Sequence, residues 1–290
     1  MEKVKVLAVF GNSASGKTIT SIKIAREIAT HKKNVIVVAL DSSCPVIPYI
    51  LPSTAVNDFS LGELLAKPTV SQTEILSACV PVEDNEYITV LGYKIGESLS
   101  LYPKVIASKV IDLIINLKHI ADYVIIDCTT TIEHDVSTVV ALQLADKVLK
   151  LGTSDLKGIS YFYTADRLLA DSKFDKEKQI AIISNLKTGQ EWETVSAEYG
   201  GAKFVLPHCT EIEEQMQEVG LFEPLIKTDS TLYNTEIAKV VESVFSLATP
   251  TVQKKGKVKK VESTDNGDGT KKEKKGFKLP FGKSKPKGEF

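Results

Sequence analysis

The sequence predicts a doubly wound α/β domain, a mostly parallel sheet with helices on both faces, followed by a disordered basic C-terminal tail. Three observations predict it. Short β-branched runs alternate with longer amphipathic stretches through residues 1–248. Several of those runs, Val-Ile-Val-Val-Ala-Leu and Tyr-Val-Ile-Ile among them, are continuously apolar rather than alternating. Strands of that kind are covered on both faces, as in a parallel sheet. Finally, a glycine-bounded loop joins the first run to the first helical stretch.

In chain order the predicted strands are 4–10, 35–40, 87–91, 123–128, 147–151, 179–184 and 204–206. Between them, 17–30 places Ile22, Ala25, Ile28 and Ala29 on one helical face. The helix predicted over 103–119 opens on Pro103, where a first turn tolerates proline, and carries Ile106, Val110, Ile114 and Leu117. Further helices are predicted over 134–145, 158–170, 192–198, 211–219 and 232–247. Such alternation implies right-handed crossovers. No internal repeat or second apolar core is visible, so residues 1–248 read as one domain.

Composition supports a globular protein, with 43% hydrophobic and 25% charged residues. No apolar run approaches the ~18 to 20 residues of a membrane-spanning helix. The start, Met-Glu-Lys-Val-Lys-Val-Leu-Ala-Val-Phe, reads as a first strand rather than a signal peptide. Cys44, Cys79, Cys128 and Cys209 lie far apart, with neither a disulfide framework nor zinc spacing. A cytoplasmic protein with reduced thiols is expected.

A net charge of −1 conceals an asymmetry. Residues 250–290 hold thirteen Lys against five acidic residues, leaving 23 basic and 32 acidic residues in 1–249. The segment 249–290 has too few apolar residues to offset the entropy of ordering, which predicts disorder.

The strongest chemical signal is Gly11-Asn12-Ser13-Ala14-Ser15-Gly16-Lys17-Thr18. It fits the phosphate-loop pattern G-x-x-x-x-G-K-[ST] between a predicted strand and a predicted helix, the context the motif requires. Gly11 and Gly16 let the loop wrap so that backbone N–H groups face phosphate oxygens, and the helix N-terminus adds positive potential. Lys17 neutralises β/γ-phosphate charge and the Thr18 hydroxyl ligates Mg²⁺. ATP or GTP is therefore expected here.

The buried strand Tyr-Val-Ile-Ile ends in Asp127, the place for a carboxylate that holds Mg²⁺ through water; the alternative is an Asp capping the next turn. Asp41 closes the strand 35–40. It either orients an attacking water at the γ-phosphate or caps its own turn.

These patterns together resemble the MinD/ParA family of P-loop ATPases over roughly residues 3–247. The loop runs into Gly16-Lys17-Thr18-Ile-Thr20-Ser-Ile-Lys-Ile-Ala, similar to the family's G-K-T-T-T-x-x-x-x-A. The strand ending in Asp41 and followed by Pro45 resembles the family's switch I. Asp127, followed by Ala-Leu-Gln-Leu-Ala-Asp146-Lys-Val, resembles its Walker B strand and next unit. Ile183-Ser-Asn185 stands where the family reads adenine with an Asn, and Val-Leu-Pro207-His208 resembles its closing strand. The resemblance implies ATP with Mg²⁺ as cofactors and phosphate-loop contacts extending to Thr20. It also implies an ATP-dependent homodimer and protein partners in a larger assembly.

The sequence departs from the family at three places. The signature Lys after the first Gly, which reaches the partner's nucleotide in the dimer, is Asn12. Switch I carries one carboxylate, Asp41. The segment Asp127-Cys-Thr-Thr-Thr131 lacks the switch II glycine. Slow or absent hydrolysis follows, as in the TadZ/CpaE-like pilus and localisation branch. The signal-recognition GTPases also lack the Lys, but their guanine-reading Thr/Asn-Lys-x-Asp is missing; Asn185-Leu-Lys-Thr stands there, so ATP is favoured. The C-terminal tyrosine cluster of bacterial tyrosine kinases is absent.

Two functions are therefore carried forward. One is a regulatory ATPase that positions a pilus, secretion, conjugation or partition assembly, and the other is a non-hydrolysing ATP-binding scaffold. In the tail, Lys271 to Lys287 interleave with Phe277, Leu279 and Phe281. That pattern suits peripheral binding to an anionic membrane at about 1 kcal/mol per Lys, or a solubilising or partner-docking role. Specific nucleic-acid recognition is not expected from lysines alone. His31, His119, His134 and His208 form no cluster and read as structural or solvated. Trp192 and Tyr161-Phe-Tyr163 read as packing.

Overall fold

In the computed structural model the described residues are 4–52, 60–97 and 99–248. The predicted tail, with its membrane segment 271–287, lies outside them.

Eight strands among the described residues form one sheet: β1 (Val6–Gly11), β2 (Val35–Ala39), β3 (Val80–Val82), β4 (Asn85–Leu91), β5 (Tyr123–Asp127), β6 (Lys147–Gly152), β7 (Gln179–Leu186) and β8 (Phe204–Pro207). Their order is β3-β4-β2-β5-β1-β6-β7-β8. Every neighbouring pair is parallel except β3 with β4. The chain fills one side of β1 up to β5 and then crosses to β6 on the other. The strand order therefore reverses at β1, and the crevice beyond its C-terminal end is where open α/β sheets place ligands.

The predicted strands recur with ends shifted by at most two residues, β7 running on to Leu186. The continuous apolar runs are buried on both sides. Val6, Ala8 and Phe10 face a core built with α5 (Ala107–Ile120), α6 (Val136–Leu144) and α7 (Leu156–Leu168). Leu7 and Val9 face the opposite core, built with α1 (Lys17–Thr30) and α10 (Thr231–Phe245). Ile22, Ala25, Ile28 and Ala29 of α1 are all buried there. The helices α8 (Glu193–Glu198) and α9 (Thr210–Gln217) complete the second half.

Two expectations need correction. Residues 103–106 are not helical: α5 starts at Ala107, and its N-cap Ile106 is extended and 55% exposed. Pro103 permits a first helical turn without requiring one, and Val105 packs onto the core from the non-helical segment. The region 47–82 also holds elements the periodicity did not disclose: α2 (Ile47–Ile50), α3 (Leu61–Ala66), α4 (Gln72–Ala78) and the edge strand β3. Reciprocal capping boxes start α3 at Ser60/Glu63 and α4 at Ser71/Glu74.

Candidate nucleotide-binding site

Four predicted site features lie at the C-terminal edge of the sheet because each ends or follows a parallel strand. The phosphate loop follows β1, Asp41 follows β2, Asp127 ends β5, and Asn185 lies near the end of β7. Gly11 is the last residue of β1, and its requirement is steric. A Cβ there would lie 2.1 Å from the Leu151 carbonyl oxygen of β6 and 2.8 Å from Ser15 Oγ. Gly16 instead supplies conformation, with φ 74°, and Ala14 shares the left-handed region at φ 63°. Positive φ at alternate positions is the backbone pattern of an anion-binding nest, and α1 begins directly behind it. Ser13 and Ala14 are exposed at the loop's tip. Ser15 Oγ is buried without a protein partner among the described residues.

Lys17 folds back over the loop. Its Nζ donates to Thr130 Oγ1 at 2.8 Å and to the carbonyls of Gly11 and Asn12 at 3.3 and 3.4 Å. Burial lowers its pKa from the ordinary lysine value, opposed by the charge of Asp127.

Thr18 Oγ1 donates to Asp127 Oδ2 at 2.5 Å. Asp127 is 4% exposed, and its Oδ1 has no partner among the described residues. Burial pushes this carboxyl up to about 6, against the Thr18 hydrogen bond and the Lys17 charge. An unpartnered buried carboxylate oxygen beside a threonine hydroxyl is a hard-oxygen donor set, so these two residues fit a Mg²⁺ ion.

The two remaining polar positions are held locally. Asp41 Oδ1 accepts from the backbone N–H groups of Ser43 and Cys44 at 2.9 and 3.0 Å, so this carboxylate caps its own turn. Asn12, 1% exposed, donates from Nδ2 to Thr153 Oγ1 at 2.9 Å and to the Ser13 carbonyl at 3.0 Å. Its Oδ1 accepts from Thr153 N at 3.1 Å. The switch II segment is tied down in turn, since Thr129 N donates to Thr138 Oγ1 and Tyr161 Oη to the Thr130 carbonyl.

Beside the loop lies a cavity of about 370 Å³. Ala14, Gly16, Lys17, Thr18 and Thr20 form one wall; Asn185, Pro207 and His208 form another. Ile212, Met216 and Leu221 make it apolar. A purine beside a bound polyphosphate needs such a mixture of flat apolar surface and a few polar groups. His208, expected to be merely structural or solvated, hydrogen-bonds Asn185 through Nδ1 at 2.8 Å. Its place directly after Pro207 at the end of β8 was the available signal. Tyr161, Phe162 and Trp192 do pack in or against the core, as expected, but Tyr163 does not: it faces outward and is 69% exposed.

The loop, the paired Thr18 and Asp127 and the sheet order define a P-loop nucleoside-triphosphatase fold. No protein-family model and no curated protein sequence matches the chain. Among solved structures it has the fold of the MinD/ParA ATPases. A ParA family ATPase from Chlorobium tepidum TLS superposes with a TM-score of 0.67 at 13% identity, covering 83% of this chain and 98% of that one. The septum site-determining protein MinD from Pyrococcus horikoshii OT3, complexed with Mg-ADP, gives 0.62 at 15% identity, covering 83% and 95%. McdA of Cyanothece in complex with ATP gives 0.66 at 17% identity, covering 87% and 100%.

Proposed function

We propose that this chain is an ATP-binding regulatory ATPase, turning over slowly, that positions or regulates a larger protein assembly such as a pilus, secretion, conjugation or partition system. The observation that carries the reading is the hydrogen bond from Thr18 to the buried Asp127, with its unpartnered oxygen, set against a lysine-bearing phosphate loop. Lys17 exchanges its internal acceptors for β/γ-phosphate oxygens, and the loop amides and the α1 N-terminus take the remaining charge. Thr18 and Asp127 would hold Mg²⁺, which neutralises phosphate charge when bound. Asn185 faces the base and Thr20 backs the cavity floor. Asp41 Oδ2, without a hydrogen bond among the described residues, is the atom left to orient the attacking water. A domain of residues 1–248 does this work, and the tail 249–290 serves localisation at an anionic surface or partner docking.

The Mg-ADP and ATP complexes of MinD and McdA on the same fold support the choice of ligand. An ATP-dependent homodimer would form without a cation from position 12, because Asn12 is buried against Thr153 of its own chain. That, with the turn-capping role of Asp41, favours a second reading: a non-hydrolysing, TadZ/CpaE-like scaffold that binds ATP and localises its partners.

Steady-state Mg·ATP turnover separates the two. Turnover above background that disappears in Lys17→Ala supports the ATPase. Bound ATP without turnover in the wild type supports the scaffold.

A further inference from the structure

The contact between His208 and Asn185 is not used by the phosphate chemistry, and it has a definite direction. Asn185 sits at φ 54°, in the left-handed region where Asn is among the few tolerated side chains. The β7–β8 pairing shifts register between Ile183 and Leu186, and His208 N donates to the Leu186 carbonyl at 2.8 Å. The backbone irregularity therefore brings the Asn185 carboxamide to the cavity wall with the His208 imidazole beside it. Non-glycine residues held in this region persist where the surroundings over-determine them, and they cluster at ligand sites.

The carboxamide oxygen can only accept, so the 2.8 Å contact between His208 Nδ1 and Asn185 Oδ1 places a proton on Nδ1. The other ring nitrogen, Nε2, faces Glu213 Oε1 at 3.6 Å, beyond hydrogen-bond distance. With Oδ1 turned to the imidazole, Nδ2 is the outer atom of the carboxamide. A flip of the amide would point the Nδ2 donor at the Nδ1 donor, or drive the ring proton over to Nε2, which has no acceptor within hydrogen-bond distance among the described residues.

We propose that His208 is a positioning residue that locks the Asn185 carboxamide in one orientation, so that the base site selects a 6-amino purine over a 6-oxo purine. The proposal rests on the reading of the cavity as a nucleotide site. The Watson–Crick edge of adenine offers an acceptor nitrogen, N1, beside an N6 donor, which matches one Nδ2 donor and the second lone pair of Oδ1. The same edge of guanine or hypoxanthine offers the reverse pair, an N1–H donor beside the O6 acceptor. To meet both, the amide would have to flip against His208.

The test is equilibrium binding of ATP, GTP and inosine triphosphate, each with Mg²⁺, to the wild type, His208→Phe, Asn185→Ala and the double variant. Inosine triphosphate differs from ATP at position 6 without guanine's 2-amino group. The wild type is expected to prefer ATP over both 6-oxo nucleotides by about ten-fold or more. His208→Phe keeps a ring of similar shape but has no donor, and the preference falls about ten-fold. His208→Ala provides the same loss in a variant that cannot overpack. In the Asn185→Ala background, His208→Phe has no further effect on the ratio, since the histidine acts through that side chain. A purely structural histidine lowers all three affinities together and leaves the ratio unchanged. That outcome, or an equal loss of ratio in the Asn185→Ala background, overturns the proposal. Undiminished ATP affinity in Lys17→Ala overturns the nucleotide reading itself, whatever His208 does.

Discussion

Asn12 and Thr153 exchange two hydrogen bonds: Nδ2 donates to Oγ1 at 2.9 Å, and the Thr153 N–H returns a bond to Oδ1 at 3.1 Å. The first residue of the phosphate loop after Gly11 is thereby fastened to the segment following β6. Position 12 is a rivet within one chain rather than an arm toward another.

Asn12→Ala is expected to leave the Thr153 N–H without its partner and to cost about 1–3 kcal/mol of stability. Urea denaturation followed by circular dichroism measures it. Asn12→Lys loses the same bonds and buries a charge, so it should be less stable than Asn12→Ala. A midpoint for Asn12→Ala equal to wild type contradicts the rivet.

Asp127 makes stability depend on pH. Its folded pKa of about 6 lies above the ordinary 3.8, so the folded state binds more protons between those values. Stability therefore falls as pH rises through that window, by up to about 3 kcal/mol from this group. Asp127→Asn removes the loss, so in nucleotide-free protein it should raise the melting temperature at pH 7 more than at pH 4. The same variant should bind ATP without dependence on Mg²⁺. An equal shift at both pH values contradicts the assignment.

Lys23 carries the opposite sign. It is buried in α1, and its Nζ donates to Gln215 Oε1 at 2.6 Å and to the Leu221 and Glu223 carbonyls at 2.7 and 3.3 Å. Burial lowers its pKa to about 7 from 10.5. The unfolded chain then binds more protons between those values, so this group's contribution to stability grows as pH rises from 7 to 10.5. Lys23→Met should strand the Leu221 carbonyl and Gln215 Oε1, costing about 1–3 kcal/mol at pH 7. It should also flatten the rise in urea midpoint between pH 7 and 9; an unchanged slope contradicts the buried-lysine account.

How far this was legible in the sequence depended on whether an element announces itself locally. The strands around β1 did, because burial on both faces demands uninterrupted Val, Ile and Leu. Lys17, Thr18 and Asp127 did, because phosphate and metal chemistry restrict residue type and spacing. Helices α3 and α4 were too short for periodicity, although Ser60-x-x-Glu63 and Ser71-x-x-Glu74 were readable as capping boxes. The antiparallel β3 contains Pro81 and pairs at an edge, where propensity says little. The partnership of His208 with Asn185 arises only when β7 and β8 lie side by side, and the two are 23 positions apart.

Asp41→Asn separates a turn from a catalytic role. Asparagine keeps the oxygen that accepts from Ser43 and Cys44 and removes the charge. With ATP affinity held, turnover is expected to fall about a hundred-fold, the scale of a lost general base or water-orienting group. Unchanged turnover leaves Asp41 as a turn cap.

The central claim is that the loop from Gly11 to Thr18 binds the phosphates of ATP. Calorimetric titration of Mg·ATP into the wild type and Lys17→Ala tests it most directly. The account predicts saturable one-site binding by the wild type, weakened about ten- to a hundred-fold when the Lys17 ammonium is removed. Equal affinity in the two proteins, or no binding by the folded wild type, would contradict it.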